Sequence, residues 1–400
     1  MTGRKALFLI IIGMTILFSV LFRTFGADAT WRFWNIPAAT PPFIDLRILT
    51  GSAESFRQGF DPIEQNPGDP LGRHFNLGKI WYLIFYTGIK QEDTLWLGTL
   101  LALGFLFCVW VFPHRINVTM AGLLALVLFS PSTMLALERG NVDLFIFILC
   151  TVALTLLESV GWFAMFFLIL AALLKLYPIF GFAAFLEKQR TRFWFFSLSA
   201  LVILLVYAVL TFSNIAASFS YTEKGGDLSY GVNVISLYLE PFFASRQIYG
   251  LLTFVAYLIV LCIAVIVVLT GMRCDPLIAD DAYHLAAFRL GAAIYIGTFF
   301  LGTNWDYRLI FLIFTVPQLC TWMMSSRVVR WTLAALILSC WYLITLKIFG
   351  WLPYGIEFAY ILDQVCKWGL FAGLLFLFVR SWPDWLRAEL AVAVAGRGSS

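Results

Sequence analysis

Residues 249–270 read YGLLTFVAYLIVLCIAVIVVLT, without a single charge. A helix of that length crosses the hydrocarbon core of a bilayer, which takes about 20 residues. In lipid a backbone cannot borrow hydrogen bonds from water, so a spanning run must satisfy them within itself, as a helix does. The run is one of many. Charged residues make up 12% of the chain and apolar ones 61%, whereas a soluble domain is about 25% charged. There are too few polar groups to cover a water-facing surface. The chain reads as an all-α polytopic membrane protein, a single integral-membrane domain over 1–400.

About twelve spans are predicted, over 6–22, 94–112, 118–136, 142–157, 161–175, 177–186, 193–212, 249–270, 285–301, 309–324, 331–349 and 364–380. Segment 161–186 could be one helix interrupted by Pro178 or two short ones. A single helix would put the basic EKQRTR (187–192) outside, against the positive-inside rule, so a pair is preferred. Arg4 and Lys5 before the first apolar run, with no convincing small-residue cleavage site after it, suit a retained first span. Both termini are then cytoplasmic. Three segments lie outside: a long first loop 23–93, a second loop 213–248, and a short third over 350–363. Residues 77–89 are apolar but too short to span, and suit an interfacial or re-entrant helix. The tail 388–400 is expected to be disordered. None of the seven cysteines falls in a long outer loop, so no disulfide is expected. His74, His114 and His284 have no metal-ligand spacing.

In such a chain charges are the informative residues, because a charge at the bilayer centre costs roughly 2.5–3.5 kcal/mol even on a lenient scale. Four clusters fall on the predicted outer side. ALERGNVDLFIF places Glu138, Arg139, Asn141 and Asp143 in a minimal turn between apolar segments. The structural alternative is a helix connection with Gly140-Asn141 as C-cap. ALLKLYPIF places Lys175 at an apolar helix end, where snorkelling to headgroups is the alternative. NWDYRLIFLIF has Asp306 and Arg308 flanking Tyr307 at the start of a span, where an ion pair fixing the helix end would also serve. The first loop adds Arg73, His74 and Lys79, which could simply be solvated. Several cations at headgroup depth suit an anionic ligand such as a lipid phosphate. A transport pathway more often places ionisable groups at the midplane.

The stretch FIDLRILTGSAESFRQGFDP, residues 43–62, spaces Leu46, Leu49, Ala53, Phe56 and Phe60 as the apolar stripe of an interfacial helix. Glu54 and Arg57 fall on the wet side, Gly59 ends the helix and Asp61-Pro62 turns the chain away. Asp45 sits in the first turn, where the helix dipole favours an anion.

This stretch, with ALERGNVDLFIF, ALLKLYPIF and NWDYRLIFLIF in that order, resembles the integral-membrane GT-C glycosyltransferases, most of all glycosyltransferase family 87. The resemblance implies about a dozen helices with a cavity opening outward, and transfer with inversion from a polyprenyl-phosphate sugar to an acceptor hydroxyl. It places the general base in the first outer loop, here Asp45. Arg308 and Lys175, then Arg139, would meet the departing phosphate, with His74 and Lys79 behind them. Glu138, Asn141, Asp306 and Tyr307 complete the expected substrate-binding set. Trp81, Tyr82, Trp305 and Tyr307 could stack on sugar faces or form an interfacial aromatic belt. Arg47 stands two positions after Asp45, where some relatives carry a second Asp, so no cofactor or metal is expected. The implied partners are the lipid-linked sugar donor, a glycolipid or glycan acceptor and membrane lipids, not nucleic acid, for a monomer in a cell inner (plasma) membrane. Two rival classes stay open. A transporter or flippase of a lipid-linked sugar would show inverted repeats with matching broken helices. A polysaccharide ligase or polymerase would usually carry its large outer loop late in the chain.

Overall fold

Pro, Gly and Ser punctuate helices whose interiors are almost wholly Leu, Ile, Val, Phe and Ala. The computed structural model describes residues 2–187, 189–222, 226–242, 246–279 and 281–395. α1 (Gly3–Phe33) leaves helical geometry only at Gly26. It was expected to stop near 22. Instead it carries on to Phe33, supported by an Asp28–Arg32 pair one turn apart at 2.9 Å, so the first loop starts later. α2 (Ile44–Arg57) follows, then 3₁₀ runs at Lys79–Thr87 and Gln91–Asp93 lead into α3 (Thr94–Val111). α4 (Val118–Leu128) and α5 (Pro131–Arg139) meet at 53°. Pro131, which lacks an N–H, opens α5 behind the Ser130 cap and so forces a new helix to start there.

α6 (Asp143–Leu156) and α7 (Gly161–Leu174) are followed by a 3₁₀ run, Tyr177–Glu187. The segment 161–186 is therefore two short elements, broken beside Lys175. α8 (Arg190–Leu210), α9 (Phe212–Tyr221), β1 (Ser229–Tyr230), α10 (Val234–Leu239), α11 (Arg246–Arg273) and α12 (Ala282–Leu301) come next. β2 (Asn304–Trp305) pairs antiparallel with β1, Ser229 opposite Trp305. A 3₁₀ run at Asp306–Thr315 leads to α13 (Val316–Trp322), α14 (Arg327–Cys340), α15 (Tyr342–Phe349), α16 (Gly355–Arg380) and α17 (Asp384–Ala395).

Among the described residues, six helices (α1, α3, α8, α11, α12 and α16) are long and apolar enough to cross a membrane alone, and up to eight spans result if the bent pairs α4–α5 and α14–α15 each count as one. The four remaining predicted spans map to α6, α7, Tyr177–Glu187 and the 306–322 segment. α6 and α7 are too short individually, since 14 helical residues rise only about 21 Å, and the 11 residues of Tyr177–Glu187 reach about the same length. α12 lies at the centre, 72% of its apolar window buried, while α11 (11%) and α8 (17%) turn apolar sides outward. Exposed Val209, Leu210 and Ile266 on those two helices suit lipid rather than water.

One further expectation changes. The tail expected to be disordered from 388 is helical to Ala395, because α17 starts behind Pro383 and its Arg387 donates to the carbonyls of Met272 and Cys274. Residues 396–400 lie outside the described residues, as does Lys188 of EKQRTR. The second loop, 213–248, holds α9, β1 and α10.

Candidate active site

The site is built around the α5–α6 turn. Gly140 closes α5 with φ 59°, and the Gly140 and Asn141 N–H groups return to the carbonyls of Leu137 and Ala136. The C-cap reading of Gly140-Asn141 thus holds for the backbone. The Asn141 side chain does more. Its Oδ1 accepts from the Asp143 N–H at 2.9 Å, capping α6, and its Nδ2 donates to Asp45 Oδ2 at 2.7 Å. Tyr307 is a further hydrogen-bonding neighbour of that amide.

The start of α2 is pressed against this turn. A Cβ at Gly140 would sit 2.9 Å from the Phe43 Cβ, so with its positive φ the position accepts only glycine without displacing α2. α2 is also less wet than expected. Leu46, Leu49 and Ala53 are buried as the stripe requires, but Ser52 and Ser55 are buried too, and Phe60 is exposed. The reason is that α2 is enclosed by the first loop: Ser55 bonds Asn66 Oδ1 and the Gly68 N–H, while Glu54 accepts from the Gln91 N–H and Arg57 donates to the Ile89 carbonyl.

Asp45 meets Arg73 on its other side, at 3.5 Å. Arg73 is itself fixed by Asp69, which accepts from it at 2.9 and 3.1 Å, and by the Ile44 carbonyl. Burial pushes the Asp45 carboxyl above the ordinary carboxylate value, against the pull of the Asn141 hydrogen bond and of the Arg139, Arg73 and Lys175 charges. Its side chain keeps 22% of its surface exposed.

Behind it, Asp143 gathers the cations. Fully buried, it accepts from Lys175 Nζ at 2.6 Å, from the Tyr177 hydroxyl at 2.8 Å and from Arg308 Nε at 3.3 Å. The Arg308 guanidinium also bonds Asn304 Oδ1 and lies 4.4 Å from the centre of the Tyr177 ring. Lys175 is therefore not snorkelling to headgroups. One carboxylate between two cations leaves a net positive charge. Lys175 and Arg308 remain 15% and 16% exposed, so an anion can reach them.

The other expected site residues divide. Arg139 pairs with Glu138 at 3.1 Å and donates to the Pro37 carbonyl, while buried Glu138 accepts from the Ala39 N–H at 2.6 Å. This pair ties the α5 end to the segment entering α2. Asp306 does not form the helix-end ion pair with Arg308 that was its structural alternative; it pairs with Lys367, at 2.7 Å, because residues two apart on a 3₁₀ turn point to different sides. His74 Nδ1 bonds the Ile63 carbonyl and its ring stacks on Tyr221, and Lys79 is exposed, so neither joins the Asp45 cluster. Of the aromatics, Trp81 is buried and donates to the Leu174 carbonyl, capping α7, while half-buried Trp305 and Tyr307 lie parallel. Among the described residues no group of three or more His, Cys, Asp or Glu side chains converges as metal ligands would.

Asp69, Tyr177, Asn304, Asp363 and Lys367 were not anticipated in these contacts. Asp69 could have been found as the acid four residues before Arg73. Asp363 and Lys367 are charges one turn apart inside an apolar helix, the same signal that singled out Lys175.

Fold and charges together define a polytopic helical membrane protein in which several helix ends bring an acid and two cations to one place. The model of Glycosyltransferase family 87 matches residues 91–301, more than half of the sequence. The chain belongs to that family and is a membrane glycosyltransferase. The match takes in Arg139, Asn141, Asp143 and Lys175; Asp45 and Arg308 lie outside it. The crystal structure of ArnT from Cupriavidus metallidurans in the apo state aligns over 92% of this chain and 77% of that one, at 14% identity and a TM-score of 0.37. Residues cannot be paired between the two at that level. No curated protein matches the sequence.

Proposed function

We propose that this glycosyltransferase, of GT-C type, moves a sugar from a polyprenyl-phosphate carrier to an acceptor hydroxyl, with inversion, on the extracytoplasmic face of a cell inner membrane. Both termini are cytoplasmic, and the acceptor is a glycolipid or glycan. The observation that carries the reading is the Asn141 amide, which holds a partly exposed carboxylate, Asp45, next to a cation pair organised on Asp143.

The chemistry needs two things at once. The acceptor oxygen attacks the anomeric carbon as its proton passes to Asp45, and the bond from that carbon to the phosphate oxygen breaks. The electron pair leaves with the phosphate, a good leaving group that needs no general acid, unlike the two-carboxylate case of glycoside hydrolysis. Growing negative charge on the phosphate is met by Arg308, whose guanidinium can donate in pairs, and by Lys175 as a point charge. Asp143 holds both cations in place beforehand, so little reorganisation is required. Trp305 and Tyr307 offer a flat apolar face for a sugar ring.

The test uses purified protein in lipid nanodiscs with a labelled hexose on either a polyprenyl phosphate or a nucleotide. Transfer is expected from the lipid-linked donor alone and should be unchanged by EDTA. Transfer from the nucleotide sugar would overturn the donor assignment.

A further inference from the structure

Behind the Asp143 cluster lies a second set of buried charges that touches neither Asp45 nor Asp143. Lys367 Nζ on α16 is 2.7 Å from Asp306, 2.6 Å from Asp363 and 3.0 Å from the Ser229 carbonyl. The side chains of Lys367, Asp306 and Asp363 are 0%, 4% and 1% exposed. An ammonium has three N–H donors, and here each has an acceptor. Two of those acceptors lie on, or directly after, the pair of strands that leads to Arg308. Ser229 is in β1, Asp306 directly follows β2, and the Asp306 N–H itself bonds the Leu228 carbonyl at 2.9 Å. Asn304, in β2, accepts from the Arg308 guanidinium and is anchored through its own amide to the Thr298 carbonyl of α12 at 2.6 Å. Two short routes therefore run from Lys367 to Arg308, one through Asp306 and one through the strand pair. The lysine is fixed in turn by the Tyr295 hydroxyl, which donates to its carbonyl, and by the Tyr342 ring 5.3 Å from its ammonium.

We infer that Lys367 is a positioning residue for the transfer reaction, clamping β1, β2 and the Asp306 turn so that Arg308 is aimed at the donor phosphate. The inference rests on the phosphate-binding reading of Arg308. A sealed ionic triad is a poor way to gain stability, since well-packed apolar side chains of similar volume often serve as well. What it does provide is one geometry for the segment it holds. It also couples the second outer loop, which carries β1, to donor recognition.

Two variants cut the clamp in different ways. Asp306→Asn leaves Lys367 and Asp363 as a balanced pair. Asp306→Asn/Lys367→Met/Asp363→Asn removes every charge while nearly keeping volume, so a charge imbalance cannot unfold it. In steady-state assays of the full-length protein with polyprenyl-phosphate hexose, both should lower donor kcat/KM by about tenfold, with acceptor KM unchanged. A general loss of packing would disturb both substrates, and that result overturns the inference. So does an unchanged donor kcat/KM in both variants. Arg308→Ala is run alongside. If it lowers donor kcat/KM while the clamp variants do not, only the role of Lys367 fails. If Arg308→Ala has no effect either, the phosphate site fails with it.

Discussion

Replacing Asp45 with Asn should slow transfer by about 10²–10⁴-fold, the contribution typical of a positioned base, while the donor still binds. The amide keeps the size of the carboxylate and can still pair with Asn141, so α2 stays seated on the α5–α6 turn, but it cannot take up the acceptor proton. Donor binding, followed by the fluorescence of a labelled polyprenyl-phosphate sugar, separates the two effects. Full activity in the Asn variant would remove Asp45 from the mechanism. The pH dependence follows the same logic. A base works deprotonated, so activity should fall as pH drops through the Asp45 pKa. Burial holds that pKa above the ordinary carboxylate value, so the acid limb in kcat/KM should lie above that value and vanish from the residual activity of Asp45→Asn. A limb at the ordinary value, or one that persists in the variant, belongs to another group.

Arg308→Ala should cost about 10²–10³-fold in kcat/KM for the donor, the scale on which losing one preorganised donor to developing negative charge is felt. Its guanidinium is engaged by Asp143 Oδ2 and Asn304 in the resting protein, and Lys175 remains on Asp143 when it is gone, so the buried carboxylate keeps a partner. That limits damage to the fold. Lys175→Ala is the useful companion, because a shared phosphate makes the two losses less than additive. Two variants with wild-type donor kinetics would exclude these cations as the phosphate site.

Much of this architecture is legible in the sequence because lipid imposes a simple rule. Long uncharged runs must be helices, and all twelve predicted segments are helical in the structure, though among the described residues six helices are long and apolar enough to cross alone. Charges inside or beside apolar runs stand out for the same reason, which is how Arg139, Lys175 and Arg308 could be named as candidates, whereas Asp45 was reached through the family resemblance. Their pairing was not legible. Whether Arg308 joins Asp306 beside it or Asp143 far off in sequence depends on the 3₁₀ geometry of 306–315, and an apolar pattern does not reveal that turn. Asp69 was hidden in a wet loop where a charge needs no explanation, yet it is the residue that holds Arg73. The helical end of α1 past residue 22 was missed because RTFGADATWRF is polar enough to pass for loop, and the helix that runs on to Ala395 because the last residues of a chain are usually poorly ordered.

The Asn141 amide has one more consequence. It touches both acid systems, giving a hydrogen bond to the Asp45 carboxylate and receiving one from the α6 backbone at Asp143. A primary amide neither gains nor loses a proton anywhere near neutral pH, so it insulates where a histidine or a second acid would conduct. A proton delivered to Asp45 cannot be relayed along that link to the carboxylate anchoring Lys175 and Arg308. Under the proposed mechanism, the acid that changes its charge at each turnover and the acid that keeps it are neighbours with no proton path through Asn141.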